Sequence, residues 1–309
     1  FKKEGILAPG PDGFIFAGKG SPAHQISLRS VESQSYQITE GRKILEELEG
    51  TRVHREAFPG AVYLHMGAGY RVLKLDPKRH RVEVEREKEP IYTRAQGQFS
   101  VHLDGAPLNE TAPSPPLGGL VQGLARVRVT DTVTAYKEFR SDSDDPLRTV
   151  SLAEPRTRTQ SSWAAYLRFP EKFYRSLEPA PPVFSLAEAL HGLEHLMASL
   201  SPIRVQAEPA EVESYSTENF PAFNAPAVFL IDGVPGAGLA EGILPSLGLL
   251  LRDAADTLGR CRCENGCPSC VIRGRCRHSI VGVSKGGARY VMKVLEKTKE
   301  KRKKPRTAA

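Results

Sequence analysis

The sequence lacks the features that mark a secreted or membrane protein. No apolar run approaches the roughly 20 residues that a membrane-spanning helix needs, and the first residues do not form the basic and then apolar pattern of a secretory signal. Cysteine is absent before Cys261, and all five cysteines lie between Cys261 and Cys276. Such a local group argues against a disulfide framework and favours a metal site in a reducing compartment. We therefore predict a cytoplasmic protein that does not contact membranes.

Acidic residues are scarce at one end of the chain only. The whole sequence has 43 Lys and Arg against 36 Asp and Glu, a formal charge of +7. Residues 260–309 hold 15 of the basic and three of the acidic residues, so they carry +12 while residues 1–259 carry −5. Half of the +12 belongs to the tail from Lys297, and the other half surrounds the cysteines. A local basic excess of this kind favours a polyanionic partner such as nucleic acid.

Composition and turn signals divide the 309 residues into four segments. Residues 1–49 combine short apolar runs with turns and are predicted to end a preceding domain, in keeping with a first residue that is Phe rather than Met. Three short β runs with tight turns predict a small β-barrel-like domain over residues 50–146. An α/β-rich zinc-binding domain with a four-cysteine knuckle is predicted over residues 147–296, and a basic disordered tail over residues 297–309. The predicted fold class is therefore α+β.

Hydrophobic periodicity predicts three helices and one buried strand in the zinc-binding segment. Ser185 is a suitable N-cap, and Glu188 three residues later completes a capping box at the start of the first helix. The apolar run 227–231 predicts a buried strand. The turn after it leads into a second helix, predicted over residues 239–258, and a third helix is predicted over residues 285–297.

The strongest chemical signal is a run of four cysteines in a C-x-C-x3-C-x2-C spacing. Four thiolates this close in sequence can converge tetrahedrally on one Zn²⁺, and neighbouring arginines favour the thiolate form that the metal needs. The favoured ligands are Cys261, Cys263, Cys267 and Cys270. Cys276 is a fifth cysteine for four positions, and the spacing also allows it to replace Cys261. A redox-active or unliganded C-x-x-C is the alternative.

Basic residues flank the cysteines on both sides. A zinc-stiffened loop that presents positive charge would suit the phosphates of DNA. The candidate DNA-binding residues are Arg262, Arg273, Arg275, Arg277 and Lys285. A basic surface that is merely solvated is the alternative interpretation.

Three further patterns fit known sites less well. His191 and His195 are spaced as in metalloproteases, but Gly192 stands where the catalytic Glu belongs, so we expect helix-surface or capping histidines. Segment 13–20 has the Gly and Lys spacing of a phosphate-binding loop but lacks its Ser or Thr, which favours a glycine-rich hairpin. Segment 233–238 follows a strand and opens a helix, but its spacing differs from the dinucleotide fingerprint, which favours a tightly packed turn. We predict no catalytic residues.

Taken in order, several of these segments resemble a known family. They are the helix sequence 186–195, the turn 232–241 with its Asp-Gly and Pro-Gly pairs, and the cysteine run 261–270. This combination resembles the zinc-binding C-terminal domain of MrfA-like superfamily 2 DNA helicases. Residues 58–76 are similar to the segment that precedes that domain. The chain departs from the family at residues 273–277, where Arg-Gly-Arg-Cys-Arg replaces the usual Ser-Pro-Lys-Cys-Gly, and this leaves the role of Cys276 open.

The resemblance implies a C-terminal accessory region of an ATP-dependent 3′→5′ DNA helicase or repair translocase. Such a region would brace the motor domains of the same parent chain and contact single-stranded or tailed DNA, while ATP and Mg²⁺ bind to the motor domains outside this sequence. A stand-alone zinc-containing scaffold subunit of a DNA repair or phage-defence complex is the alternative. A zinc hydrolase would need an open coordination position, which four cysteine ligands do not leave.

Overall fold

A computed structural model of the chain describes residues 5–11, 13–18, 35–113, 119–143, 145–170, 173, 184–274, 276–277 and 281–303. These residues combine β-sheets with packed helices, which confirms the predicted α+β class. The strands are β1 (Leu7–Gly10), β2 (Gly13–Phe16), β3 (Ser35–Glu40), β4 (Lys43–Glu49), β5 (Val62–His65), β6 (Ala68–Asp76), β7 (Arg81–Arg86), β8 (Ile91–Leu103), β9 (Leu108–Thr111), β10 (Val121–Arg140), β11 (Pro146–Arg168), β12 (Val212–Phe220) and β13 (Ala225–Asp232). The helices are α1 (Gly50–Glu56), α2 (Leu186–Val205), α3 (Leu239–Ile243), α4 (Leu247–Arg260) and α5 (Lys285–Lys303), with a 3₁₀ turn at Leu244–Ser246.

A five-stranded sheet in the order β4-β3-β7-β6-β5 has a core of its own. Strands β3 and β7 are parallel, and the other neighbours are antiparallel. Ile38, Phe58 and Val82 are fully buried in this core. The path of hydrogen bonds ends at β4 and β5, so the described strands form an open sheet. Closure into the barrel-like domain expected over residues 50–146 stays a prediction.

The second sheet is antiparallel throughout and has the order β12-β13-β11-β10-β8, with β9 paired to β10. Its longest strands, β10 and β11, have 20 and 23 residues and form one hairpin. This hairpin joins residues on both sides of the domain boundary expected near residue 146, and that boundary stays a prediction. Strand β13 is buried at every position, which confirms the buried strand expected at residues 227–231.

The helices α2, α4 and α5 cover one part of the second sheet. Leu190, Leu250 and Val291 lie in the core that the helices and the sheet enclose. Helix α2 begins with the expected capping box, because Ser185 Oγ accepts from the backbone N–H of Glu188 while the Glu188 carboxylate accepts from the N–H of Ser185.

Two helices differ from their predicted bounds. The continuous helix expected over residues 239–258 is wrong, because the chain forms α3, a 3₁₀ turn and then α4. Pro245 stands in the 3₁₀ turn, where its missing N–H cannot donate to the preceding turn and its ring prevents a continuous α-helix. Helix α5 continues past Lys297 to Lys303. None of the described helices is both long and apolar enough to cross a membrane.

Helices α2 and α5 approach closely because glycine faces the opposite helix at two positions. A Cβ atom at Gly192 would lie 2.6 Å from the carbonyl oxygen of Ser284, and one at Gly287 would lie 2.7 Å from the Cβ of Ala189. The close approach places the start of α5 against α2, beside the loop that carries the cysteines.

Candidate metal centre

Four cysteine sulfurs meet directly after α4. The Sγ of Cys261 lies 3.5 Å from those of Cys263 and Cys267, and the Sγ of Cys270 lies 3.6 Å from Cys263 and 3.8 Å from Cys267. Four sulfurs at the usual Zn–S distance of about 2.3 Å are about 3.8 Å apart when they form a tetrahedron. The structure therefore brings the four expected ligands together at a spacing that fits Zn²⁺.

Backbone hydrogen bonds shape the loop that carries the sulfurs. The N–H of Cys267 donates to the Sγ of Cys270 at 3.3 Å, and the N–H groups of Cys270 and Ile272 donate to the carbonyl of Cys267. Gly266 has a φ of +126°, which side-chain-bearing residues rarely adopt, and a Cβ there would lie 2.8 Å from a methyl group of Val271. The Gly in the motif is thus required by the turn.

A buried lysine closes the cluster from α5. Lys285 is 2% exposed, and its ammonium group donates to the Sγ of Cys263 at 3.2 Å and to the carbonyl oxygens of Cys261 and Cys263. Burial acts to raise the pKa of the Cys263 thiol, but hydrogen bonds from Lys285 and the three other cysteines outweigh burial and lower that pKa to about 6. Lys285 therefore favours the thiolate form of Cys263.

The chemistry of the four cysteine ligands also favours a bound cation. The side chain of Cys270 is buried, and burial raises the pKa of its thiol to about 11. A thiolate at this position needs a positive charge beside it, and thiolates are the ligands that suit Zn²⁺. The ammonium group of Lys285 would then reduce the net negative charge that four thiolates leave around a divalent ion.

Arg273 forms hydrogen bonds with other parts of the protein. Its guanidinium group donates to Ser214 Oγ at 3.1 Å and to the carbonyl oxygens of Pro209 and Val212 at 2.9 and 2.7 Å. These acceptors lie in β12 and just before it. Arg273 therefore fastens the loop after the cysteines to the edge of the second sheet.

Arg277 bridges two carboxylates of the second sheet. It lies 2.6 Å from Glu213 and 3.4 Å from Asp131, measured between nitrogen and oxygen atoms. Arg262 is exposed, and Arg275 lies outside the described residues. Of the expected DNA-binding residues, Lys285, Arg273 and Arg277 thus contact protein acceptors, whereas Arg262 faces solvent.

Cys276 lies apart from the four sulfurs and joins the two histidines of α2. Ligand atoms of His191, His195 and Cys276 all lie within 4.8 Å of one another. The histidines are 1% and 3% exposed, so the expectation of helix-surface histidines is wrong; α5 and the loop before it cover this face of α2. Sequence reasoning missed this cluster because Cys276 lies 85 residues after His191.

The glycine-rich segments 233–238 and 13–20, as far as the structure describes them, form a packed turn and part of a hairpin. Asp232, fully buried at the end of β13, accepts from the N–H of Ala240 at the start of α3. Burial raises the pKa of Asp232 to about 6, although backbone N–H groups of the turn oppose this. The turn 233–238 thus packs around a carboxyl group of the chain itself. In the other segment, β2 pairs with β1 as a hairpin, and residues 19–20 lie outside the described residues.

Comparison with known proteins assigns the family. The model of the MZB family, the MrfA Zn-binding domain, matches residues 193–271, from α2 to the residue after the fourth cysteine of the cluster. An uncharacterised protein of Methanocaldococcus jannaschii is 34% identical over 91 residues, which cover 81% of that protein and 28% of this chain. The chain belongs to the MrfA zinc-binding domain family. The resemblance expected from the sequence is thereby confirmed.

Longer proteins that are similar to this member of the MrfA zinc-binding domain family include helicases. The uncharacterised ATP-dependent helicase YprA of Bacillus subtilis is 23% identical over 278 residues, which cover 87% of this chain and 35% of that protein. The crystal structure of the DUF1998 helicase MrfA bound to DNA superimposes with a TM-score of 0.58 at 21% identity and shows the same fold over 97% of this chain and 38% of that one. The chain therefore spans about a third of the length of these helicases.

Proposed function

We propose that this chain is the C-terminal accessory and zinc-binding region of a cytoplasmic, ATP-dependent 3′→5′ DNA helicase or repair translocase. Similarity to YprA over 87% of the chain supports this assignment. In the proposal, ATP and Mg²⁺ bind to motor domains of the same parent protein. This chain braces those motor domains and contacts single-stranded or tailed DNA.

The metal part of the proposal rests on one observation, the near-tetrahedral spacing of four sulfurs. We assign Cys261, Cys263, Cys267 and Cys270 as ligands of one Zn²⁺. Bound zinc would add a cross-link between the end of α4 and the following loop. Because four thiolates leave no open coordination position, the role of this site is structural rather than catalytic. Lys285 then connects the cross-linked loop to α5.

The DNA part of the proposal rests on charge. The guanidinium of Arg262 is exposed beside the cysteines, whereas Arg273, Arg277 and Lys285 have acceptors within the protein. We therefore propose Arg262 as a phosphate contact and assign positioning roles to these three. Arg275 is proposed as a second phosphate contact from its place in the sequence beside the cysteines. Contacts of this kind bind DNA without regard to its sequence.

Salt dependence tests the DNA contact. Fluorescence anisotropy with a labelled single-stranded oligonucleotide should show affinity that falls steeply as salt rises, because bound phosphates release counterions. Reversing both charges, Arg262→Glu with Arg275→Glu, should weaken binding and make the salt dependence shallower. Lys78→Glu with Arg79→Glu is the matched control, because it changes the net charge by the same amount and both residues are exposed in the turn between β6 and β7. Affinity that does not change with salt, or equal losses in both variants, would contradict the proposal.

The motor part is tested on the parent protein. The isolated chain should not hydrolyse ATP, whereas the parent should hydrolyse ATP and unwind tailed DNA, and removal of this region should impair unwinding. The genomic reading frame distinguishes the helicase from the alternative, a stand-alone scaffold subunit of a DNA repair or phage-defence complex. Motor domains in frame with this chain support the helicase, and a separate gene that encodes only this region supports the scaffold.

A further inference from the structure

A second group of metal-ligating side chains lies beside the four cysteines. His191 and His195 are one turn apart on α2, and their rings lie 4.3 Å apart between centroids. The Nε2 of His191 is 3.1 Å from the Sγ of Cys276. All three side chains offer ligand atoms within 4.8 Å of one another, and both histidines are buried. The group contains none of the ligands assigned to the first zinc.

Backbone carbonyls orient both imidazole rings. The Nδ1 of His191 lies 3.1 Å from the carbonyl oxygens of Val281 and Gly282, and the Nδ1 of His195 lies 2.8 Å from that of Val271. A carbonyl can only accept, so each Nδ1 carries the proton and each Nε2 presents a lone pair when the ring is neutral. Metal-bound histidines are held in the same way, with the second nitrogen donating to a carbonyl.

The lone pair of His195 lacks a protein partner. Within the part of the chain that the structure describes, no hydrogen-bond donor reaches the buried Nε2 of this ring. A buried acceptor without a partner lowers stability, which a bound cation would reverse. A thiol proton donated from Cys276 to His191 would satisfy only the first histidine.

We propose that the Nε2 atoms of His191 and His195 and the Sγ of Cys276 bind a second Zn²⁺. Two imidazoles and one thiolate suit zinc, whereas Mg²⁺ and Ca²⁺ prefer oxygen ligands. A cavity of about 70 Å³, lined in part by His195, Glu213 and Cys276, leaves room for a water molecule as the fourth ligand. Binding displaces the Cys276 thiol proton to solvent.

The second ion would connect parts of the chain that the first does not. Cys276 follows the cysteine loop, whereas the histidines belong to the helix that packs under it. The first ion links residues within one short loop, and the second fastens the continuation of that loop to α2. Two arginines that line the cavity already have protein partners, since Arg277 pairs with two carboxylates and Arg273 donates to three protein oxygens.

Zinc content and coordination of the full chain test this site. Protein loaded with Zn²⁺ alone and freed of excess should contain two ions per chain by elemental analysis. X-ray absorption should show nitrogen ligands at about 2.0 Å with imidazole scattering, in addition to sulfur at about 2.3 Å. Cys276→Ala and His195→Ala should each reduce the content to one ion and remove the imidazole signal, while the sulfur signal of the first site stays.

Two outcomes would overturn the proposal. One is a single ion per chain with sulfur ligands only in the unmodified protein, a result that does not depend on whether any variant folds. The other is two ions and an unchanged imidazole signal in both variants. A wrong four-cysteine assignment would give a different result. The unmodified protein would then keep the imidazole signal but show no site with four sulfur ligands.

Discussion

The ammonium group of Lys285 donates to the sulfur of Cys263 across 3.2 Å, and the same nitrogen donates to two carbonyl oxygens of the cysteine loop. Lys285→Gln should therefore weaken zinc binding, because it removes a positive charge that stabilises the Cys263 thiolate. We expect a loss of about 10- to 100-fold in zinc affinity, the usual effect of changing a residue that supports a metal ligand. Competition with a chromophoric chelator measures it.

Lys293→Gln is the control for that experiment. Lys293 lies on the same helix and is exposed, so its replacement changes the net charge equally without touching the cluster. Equal zinc affinities for the Lys285 and Lys293 variants would show that the contact with Cys263 does not support the metal.

Arg277 is expected to stabilise the fold rather than to bind DNA directly. It pairs with Asp131 and Glu213, whose side chains are 6% and 12% exposed. Arg277→Ala leaves these carboxyl groups without one of their cations and should lower the free energy of unfolding by about 2–4 kcal/mol. Urea denaturation measures the change. Arg262→Ala, at an exposed position, should change it by no more than about 0.5 kcal/mol. Equal effects of the two substitutions would refute the structural role.

His54 should make the stability depend on pH. Burial lowers the pKa of His54 to about 4, although the neighbouring Asp131 acts to raise it. Between pH 6.5 and 4 the unfolded chain binds a proton that the folded chain does not, so stability should fall as the pH falls, by roughly 1.4 kcal/mol per pH unit at most. Urea denaturation at several pH values should show a shallower dependence for His54→Gln. Parallel curves for the two proteins would exclude His54 as the cause.

Gly192 should tolerate no side chain. An added Cβ would lie 2.6 Å from the backbone oxygen of Ser284, so Gly192→Ala must push α2 and α5 apart and should lower the free energy of unfolding by about 1–3 kcal/mol. Gly286→Ala is the matched control in α5. Its nearest neighbour, the hydroxyl of Ser284, lies 3.9 Å away, and Ala favours the helix by up to about 1 kcal/mol. Thermal unfolding compares them, and similar melting temperatures would argue against the close approach.

Local sequence signals predicted local structure well. The capping box of Ser185 and Glu188 and the buried strand β13 form as expected, because neighbouring residues determine both. The four cysteines converge because they lie within ten residues of one another, and the intervening glycine permits the turn. Pro245 is a sequence signal for the break in the predicted helix, since proline disfavours a continuous helix. The apolar periodicity on either side of it nevertheless favoured one long helix.

Contacts between distant residues could not be read from the sequence. Lys285 lies 22 residues after Cys263 and was predicted to face DNA, whereas packing of α5 against α2 places it against the sulfurs. Arg277 lies 146 residues after its partner Asp131. The two histidines were interpreted as helix-surface or capping residues because Gly192 replaces the catalytic Glu of metalloproteases. Their neighbour Cys276 lies 85 residues after His191 and becomes close only after the sheet and helices have packed.

The four-cysteine zinc site is tested most directly by native mass spectrometry of the Cys276→Ala variant after loading with Zn²⁺ and removal of the excess. Among the residues that the structure describes, this substitution leaves the four-cysteine cluster as the remaining candidate site. We predict one zinc ion bound to the folded chain, and none when Cys270→Ser is added. A folded Cys276→Ala variant without zinc, or one that keeps its zinc when Cys270→Ser is added, would contradict the assignment of the four cysteines as zinc ligands.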